Sequence, residues 1–160
     1  MSWPSKTMLR DALTAHLADE LQRATAAHRE THAGATHSEA RPEGSKDTRA
    51  LEQSYLARGQ AMRAEELRLA IAEVARMPVE ALADDAPAQP GALLRVREDD
   101  VERTVWLALH GGGLVLAGGT VLVVTPVSPL GRAIVGQCAG DVCELAAGSR
   151  MREIEIVAVR

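Results

Sequence analysis

Three carboxylates crowd one short connection: Glu39, Glu43 and Asp47 lie between Ser38 and Thr48, with the breakers Pro42 and Gly44 among them. If the flanking segments are helices, these side chains project from the tip of an arm that could probe a deep channel, or they form a solvated turn in which Asp47 stabilises the next helix start. His28 and His32 sit one helical turn apart and could share a metal. The residues between them are Arg29-Glu30-Thr31, without the Glu directly after the first His that a protease site needs, and a metal would require a third ligand. Cys138 and Cys143 are the two cysteines, with no signal-peptide pattern upstream. Reduced thiols in the cytoplasm are therefore expected rather than a disulfide framework. Gly111-Gly112-Gly113 lacks the helix and Lys that a phosphate loop requires and reads as a turn.

The elements that must position these groups follow from periodicity. Before the connection, Leu9, Leu13, Leu17, Leu21 and Ala24 recur at helical spacing, with Ser5 or Thr7 as cap, and predict a helix to about His32. After it, Leu51, Tyr55, Met62, Leu67, Ile71 and Val74 predict a second helix, capped by Ser45, Asp47 or Thr48 and ending near Met77-Pro78. The two stripes are expected to close on each other as a long antiparallel hairpin, a coiled coil over 1–80 with its tip at about 34–48. Gly59 within the second helix costs about 1 kcal/mol relative to Ala, and close approach of the Ala-rich first helix is one reason to keep it.

Residues 81–90, with Asp84-Asp85, Pro87 and Pro90, read as a linker to a second domain at 91–160. There the period changes to two. Leu94 and Val96, Val105 to Leu109, Leu114 to Leu116, Val121 to Val124, Val142 to Leu145 and Glu153 to Val159 read as strands, the last placing Ile154, Ile156 and Ala158 on one face. Asp99-Asp100 and the Gly pairs mark turns. Ser128-Pro129 opens a short helix over Leu130 to Val135, stopped by Gly136, with Ser as cap and Pro in the first turn. The expected fold is α+β: a helical hairpin followed by a small antiparallel sheet carrying one short helix.

Composition narrows the function classes. The chain has 160 residues, 46% apolar and 25% charged, with no Phe, one Tyr and two Trp. Its halves carry net charges of −1 over 1–80 and −3 over 81–160. Without a basic face or aromatic platforms, independent nucleic-acid binding is not expected, and a protein partner is. No run of 18 apolar residues exists, so no membrane-spanning helix is expected. A monomer is expected because the hairpin would satisfy its apolar stripes internally.

The segment Ser128-Pro129-Leu130-Gly131-Arg132-Ala133-Ile134-Val135-Gly136, then Gly140-Asp141, then Glu153-Ile154-Glu155-Ile156-Val157, resembles the second domain of the bacterial Gre-type transcript cleavage factors. The match covers about the last 35 residues, and the helical hairpin resembles the family by architecture. The resemblance implies an FKBP-like second domain that grips the rim of the RNA polymerase secondary channel, here around Ser128, Pro129 and Leu130. It also implies an arm inserted into that channel. Its tip carboxylates Glu39, Glu43 and Asp47 would assist hydrolysis of backtracked RNA, with Glu39 and Glu43 sharing a Mg²⁺ ion at the polymerase centre and no cofactor held stably by this chain. In the family two acidic tip residues stand three apart and are followed by Asn, whereas Glu39 and Glu43 are four apart, Pro42 lies between them and Gly44 takes the Asn position.

The resemblance implies a factor acting on another enzyme's centre, not an enzyme in its own right. A channel-bound modulator without cleavage activity is the near alternative. A prolyl isomerase or a coiled-coil adaptor are the others, and the isomerase reading lacks an aromatic-walled cup, since Trp106 is the one aromatic residue of the second domain.

Overall fold

The computed structural model describes residues 2–37, 46–83, 85–147 and 150–160, and their side chains except those of 28, 31–37, 46, 47, 49, 50, 147 and 150. Among the described residues, two long helices, α1 (Lys6–His37) and α2 (Lys46–Ala75), precede six strands, one short α-helix and one 3-10 turn (Ala117–Gly119). The strands are β1 (Leu93–Glu98), β2 (Val101–Leu107), β3 (Val115–Leu116), β4 (Val121–Val124), β5 (Val142–Ala147) and β6 (Arg150–Val159), with α3 (Pro129–Ile134) between β4 and β5. The chain divides into two compact units, one of residues 1–14 with 73–160 and one of residues 15–72.

In the helical unit, Arg63 reaches Glu20 at 3.1 Å. Lys6, fourteen residues before Glu20, bonds Glu80 O, seventeen residues after Arg63, so the helices run antiparallel. Ser5 caps α1: its hydroxyl accepts from the Met8 N–H at 3.3 Å, and its carbonyl accepts from Leu9 N–H. The helix runs five residues beyond the expected His32, through Gly34, which a helix interior tolerates at a cost of about 1 kcal/mol relative to Ala. Its predicted stripe holds, with Leu9, Leu13 and Leu17 buried and Leu21 and Ala24 partly so.

The stripe expected on α2 does not hold as one face. At about 100° per residue, Gln60, Ala64, Leu67, Ile71 and Val74 share one side, and Ala64, Leu67 and Val74 are buried there. Leu51, Tyr55 and Met62 fall on the opposite side and are exposed. The five-residue step from Met62 to Leu67 turns about 140° around the helix, so the expectation joined two different faces into one. Gly59 is not held by close approach either: a Cβ added there would meet nothing within 4 Å.

In the other unit the strand order is β3-β4-β2-β1-β6-β5. The expected antiparallel sheet is instead mixed, because β4 inserts between β3 and β2 and runs parallel to β2. Alternation marks a strand's faces but says nothing of which neighbour it joins, and the two-residue β3 leaves room for this crossover. Asp99 and Asp100 close the β1–β2 hairpin with φ of 46° and 63°. Two positive values in a two-residue loop make the type I′ turn that suits strand twist.

One face of the sheet carries Leu94, Val96, Val105, Leu107, Val124, Cys143, Leu145, Ile154 and Ile156, which pack with Ile134 of α3 as a single core. On β6 the register shifts opposite Arg95 and Val96, leaving Val157 as an extra residue. This bulge moves the inward position from the expected Ala158 to Val159, which is buried. The other face carries Leu93, Trp106, Val121 and Val123, also buried. The start of α1 lies near this side of the unit, with the Arg95 guanidinium 4.5 Å from the Trp3 ring centroid.

Residues 86–90 dock on the unit rather than spanning open space. Ala88 is buried, donates to Gln137 O and accepts from Gly136 N–H. Lys6 is buried as well; its ammonium donates to Glu80 O at 2.7 Å, and burial pulls its pKa below the ordinary lysine value.

Candidate partner-binding site

Strand β4 ends at Val124, and the chain must reverse over Thr125-Pro126-Val127 before α3 can cross the sheet. Ser128 organises that reversal. Its hydroxyl donates to Thr125 O at 2.7 Å and accepts from Gly131 N–H at 3.1 Å, while its own N–H also donates to Thr125 O. One oxygen thus ties the end of the strand to the first turn of the helix, satisfying an N–H that would otherwise lack a partner. Pro129 stands in the first turn, where its missing N–H costs nothing. Arg132 turns back and donates to Val127 O at 2.6 Å.

The glycine of this segment has a steric cause. A Cβ on Gly131 would lie 1.8 Å from Thr125 O, so only Gly permits the carbonyl to approach the helix so closely. Gly140-Asp141 is likewise a structural pair. Gly140 has φ of +93° and donates to Ile156 O, Asp141 O accepts from Ile156 N–H, and the Asp141 carboxylate accepts from Cys138 N–H at 2.7 Å. The motif residues Ser128, Gly131, Gly140 and Asp141 therefore fix the backbone.

What the segment offers a partner is different. Pro129 is exposed, and Val127, which the sequence did not single out, is 77% exposed. Leu130 is half-buried against the core and lines an apolar groove of about 460 Å³ with Pro129, Leu122, Leu145 and Gly112. Arg152, at the rim of the same groove, pairs with Glu98 at 2.8 Å. Leu122 and Leu145 lie within predicted strands, but only the position of α3 leaves a gap over them. Trp106 lies on the opposite face of the sheet, so no aromatic ring lines this groove.

Glu39 and Glu43 lie outside the described residues; Asp47 lies in the first turn of α2, with its side chain outside the description, as are the side chains of His28 and His32 on α1. Among the described residues no three His, Cys, Asp or Glu side chains are grouped to hold a metal ion. Nor is any described helix long and apolar enough to cross a membrane.

Cys138 and Cys143 are both free thiols. Cys143 is buried on the core face of β5, where desolvation, and then the Asp141 carboxylate, push its pKa above the ordinary thiol value. Cys138 is partly exposed, and its Sγ is 3.7 Å from Asp85 O.

No family model matches this chain, and no curated protein does. Among solved structures it is similar to the GreA factor homolog 1 (Gfh1) protein of Thermus thermophilus, at 15% identity over 92% of this chain and 94% of that one, with a TM-score of 0.40. Gfh1 of Thermus aquaticus is similar at 16% identity over 98% of this chain and 94% of that one, also with a TM-score of 0.40. A prokaryotic transcription elongation factor GreA/GreB from Nitrosomonas europaea is similar at 21% identity over 58% of this chain and 77% of that one, with a TM-score of 0.37. These proteins carry the names of the family that the motifs of residues 128–157 resemble.

Proposed function

We propose that this chain is a transcription factor of the Gre type that binds RNA polymerase at its secondary channel. In this reading the sheet unit holds the channel rim through Val127, Pro129 and Leu130, and the helical hairpin enters as an arm. The observation that carries the reading is the segment 128–136, whose family-like residues build the Ser-capped turn that presents Pro129 and Leu130 beside an apolar groove. A projecting apolar side chain on a rigid turn, next to a groove, is what a protein partner can grip. The groove's lack of an aromatic ring speaks against prolyl isomerisation at this site.

The tip would bring Glu39, Glu43 and Asp47 to the polymerase centre. Carboxylate oxygens suit a hard divalent cation such as Mg²⁺, and such an ion stabilises attacking and leaving oxygens in RNA hydrolysis. A second reading keeps the binding and drops the cleavage; it is favoured by the spacing of Glu39 and Glu43 and by Gly44 where the family has Asn.

The test is to add the protein to stalled, backtracked polymerase complexes and to measure both binding and RNA shortening. Cleavage lost on replacing Glu39, Glu43 and Asp47 by Ala, with binding kept, supports the first reading. Binding without shortening by the parent supports the second. Pro129→Glu should weaken binding by about 1 to 3 kcal/mol while the protein stays folded, and unchanged binding would remove this turn from the interface.

A further inference from the structure

The back of α2 carries a stripe that the hairpin does not use. Leu51, Tyr55, Met62 and Leu69 are 56%, 71%, 57% and 58% exposed, and helical geometry places them within roughly 40° of one another, opposite the buried side of the helix. Tyr55, Met62 and Leu69 repeat at seven-residue intervals, the spacing of a coiled-coil seam. Large apolar side chains grouped in this way mark an interaction surface more often than single exposed ones do.

We propose that this stripe pairs with the same stripe of a second copy, as an antiparallel contact with its two-fold axis at Met62. Charge selects this occupant and this register. About that axis Tyr55 of one copy faces Leu69 of the other, and the residues flanking the seam on one side are Arg58 and Glu65, seven apart, so that each Arg58 meets the other copy's Glu65. The other flank brings Glu66 beside Gly59, where no Cβ stands and nothing lies within 4 Å of one, so the two acidic side chains do not meet. A parallel pairing in register would instead set the Arg58–Glu65 flank of one copy against the Gly59–Glu66 flank of the other, leaving Arg58 without a carboxylate and placing Glu65 beside Glu66 on both sides. Glu65 and Glu66 now bond Arg68 and Arg63 along their own helix at 3.1 and 3.5 Å, exposed pairs that exchange partners at little cost.

The contact spans about 20 Å of helix and is small, so it forms a reversible dimer rather than an obligate one. It is independent of the polymerase reading, since it rests on α2 alone. It also replaces the reason for expecting a monomer, because the apolar residues of α2 are not all satisfied within the hairpin.

Sedimentation of the purified full chain from about 10 µM to about 1 mM should show the average mass rising from 17.0 kDa towards twice that value. Arg58→Glu should weaken association at least tenfold, and adding Glu65→Arg in the same chain should restore it, which loss of folding would not do. Met62→Cys should give a disulfide-linked dimer on mild oxidation, mapped by peptide mass spectrometry because Cys138 and Cys143 are present, whereas Glu52→Cys should not. A mass constant at 17.0 kDa throughout would overturn the proposal. So would a dimer insensitive to the charge exchange, or one cross-linked through Glu52→Cys rather than Met62→Cys.

Discussion

The sheet unit and the helical unit use their apolar residues in opposite ways. In the sheet unit, alternation has one meaning: Leu94, Val96, Val105 and Ile156 are all buried in one core under α3. In the helical unit, α2 spreads apolar side chains over both sides, burying Ala64 and Leu67 while Met62 and Leu69 face outward. A strand has only two faces, and an error of one residue flips every side chain. A helix has a continuous circumference, so one step of five, such as Met62 to Leu67, carries an apolar row from one side to the other.

The contrast can be broken or sharpened by substitution. Gly131→Ala should have the largest effect, destabilising the sheet unit by at least about 3 kcal/mol, because the new Cβ would stand 1.8 Å from a backbone oxygen that α3 and β4 jointly fix. Urea unfolding followed by the fluorescence of Trp3 and Trp106 reads this directly, and a tolerated alanine would mean the turn is looser than its hydrogen bonds imply.

Next, Leu67→Ala and Leu69→Ala compare the two sides of α2 within one helical turn. The first should cost about 2 to 4 kcal/mol and the second no more than about 0.5 kcal/mol. Hydrogen exchange of the α2 amides at low protein concentration, where self-association is absent, distinguishes them. Equal costs would make the outward stripe part of a core.

Gly59→Ala should stabilise α2 by about 1 kcal/mol, since the added methyl meets no neighbour and the helix gains propensity. A loss of stability measured by thermal unfolding would show that the glycine accommodates something at that surface.

The smallest effect is that of pH on Cys143. Its thiol is held neutral in the folded chain, so the folded state keeps its proton when the unfolded state has lost it. The stabilisation is complete below the ordinary thiol pKa and is lost as pH rises through the raised folded value; a Cys143→Ala chain should lack this alkaline loss. Thiol labelling at pH 8 should modify the partly exposed Cys138 quickly and Cys143 only on opening of the sheet. Equal rates would place Cys143 nearer solvent than its burial indicates.

Residue types and their order determined much of this protein. Ser5 and Ser128 as caps, Asp99-Asp100 as a tight turn, Pro129 in the first turn of α3 and the stripe of Leu9, Leu13 and Leu17 were all legible, because each depends on groups within a few residues along the chain. The motifs of residues 128–141 were legible too, although what they fix became clear only with Thr125 O against Gly131 and Ile156 against Gly140 and Asp141.

Tertiary structure decided the rest. The parallel pairing of β4 with β2, the bulge that turns Val159 inward, the groove over Leu122 and Leu145, and the side of α2 that is buried all depend on which distant segment arrives at each element. Local propensity contains no such information: hydrogen-bonding edges accept either strand direction, and an apolar side chain on a helix is equally content against its own chain or another.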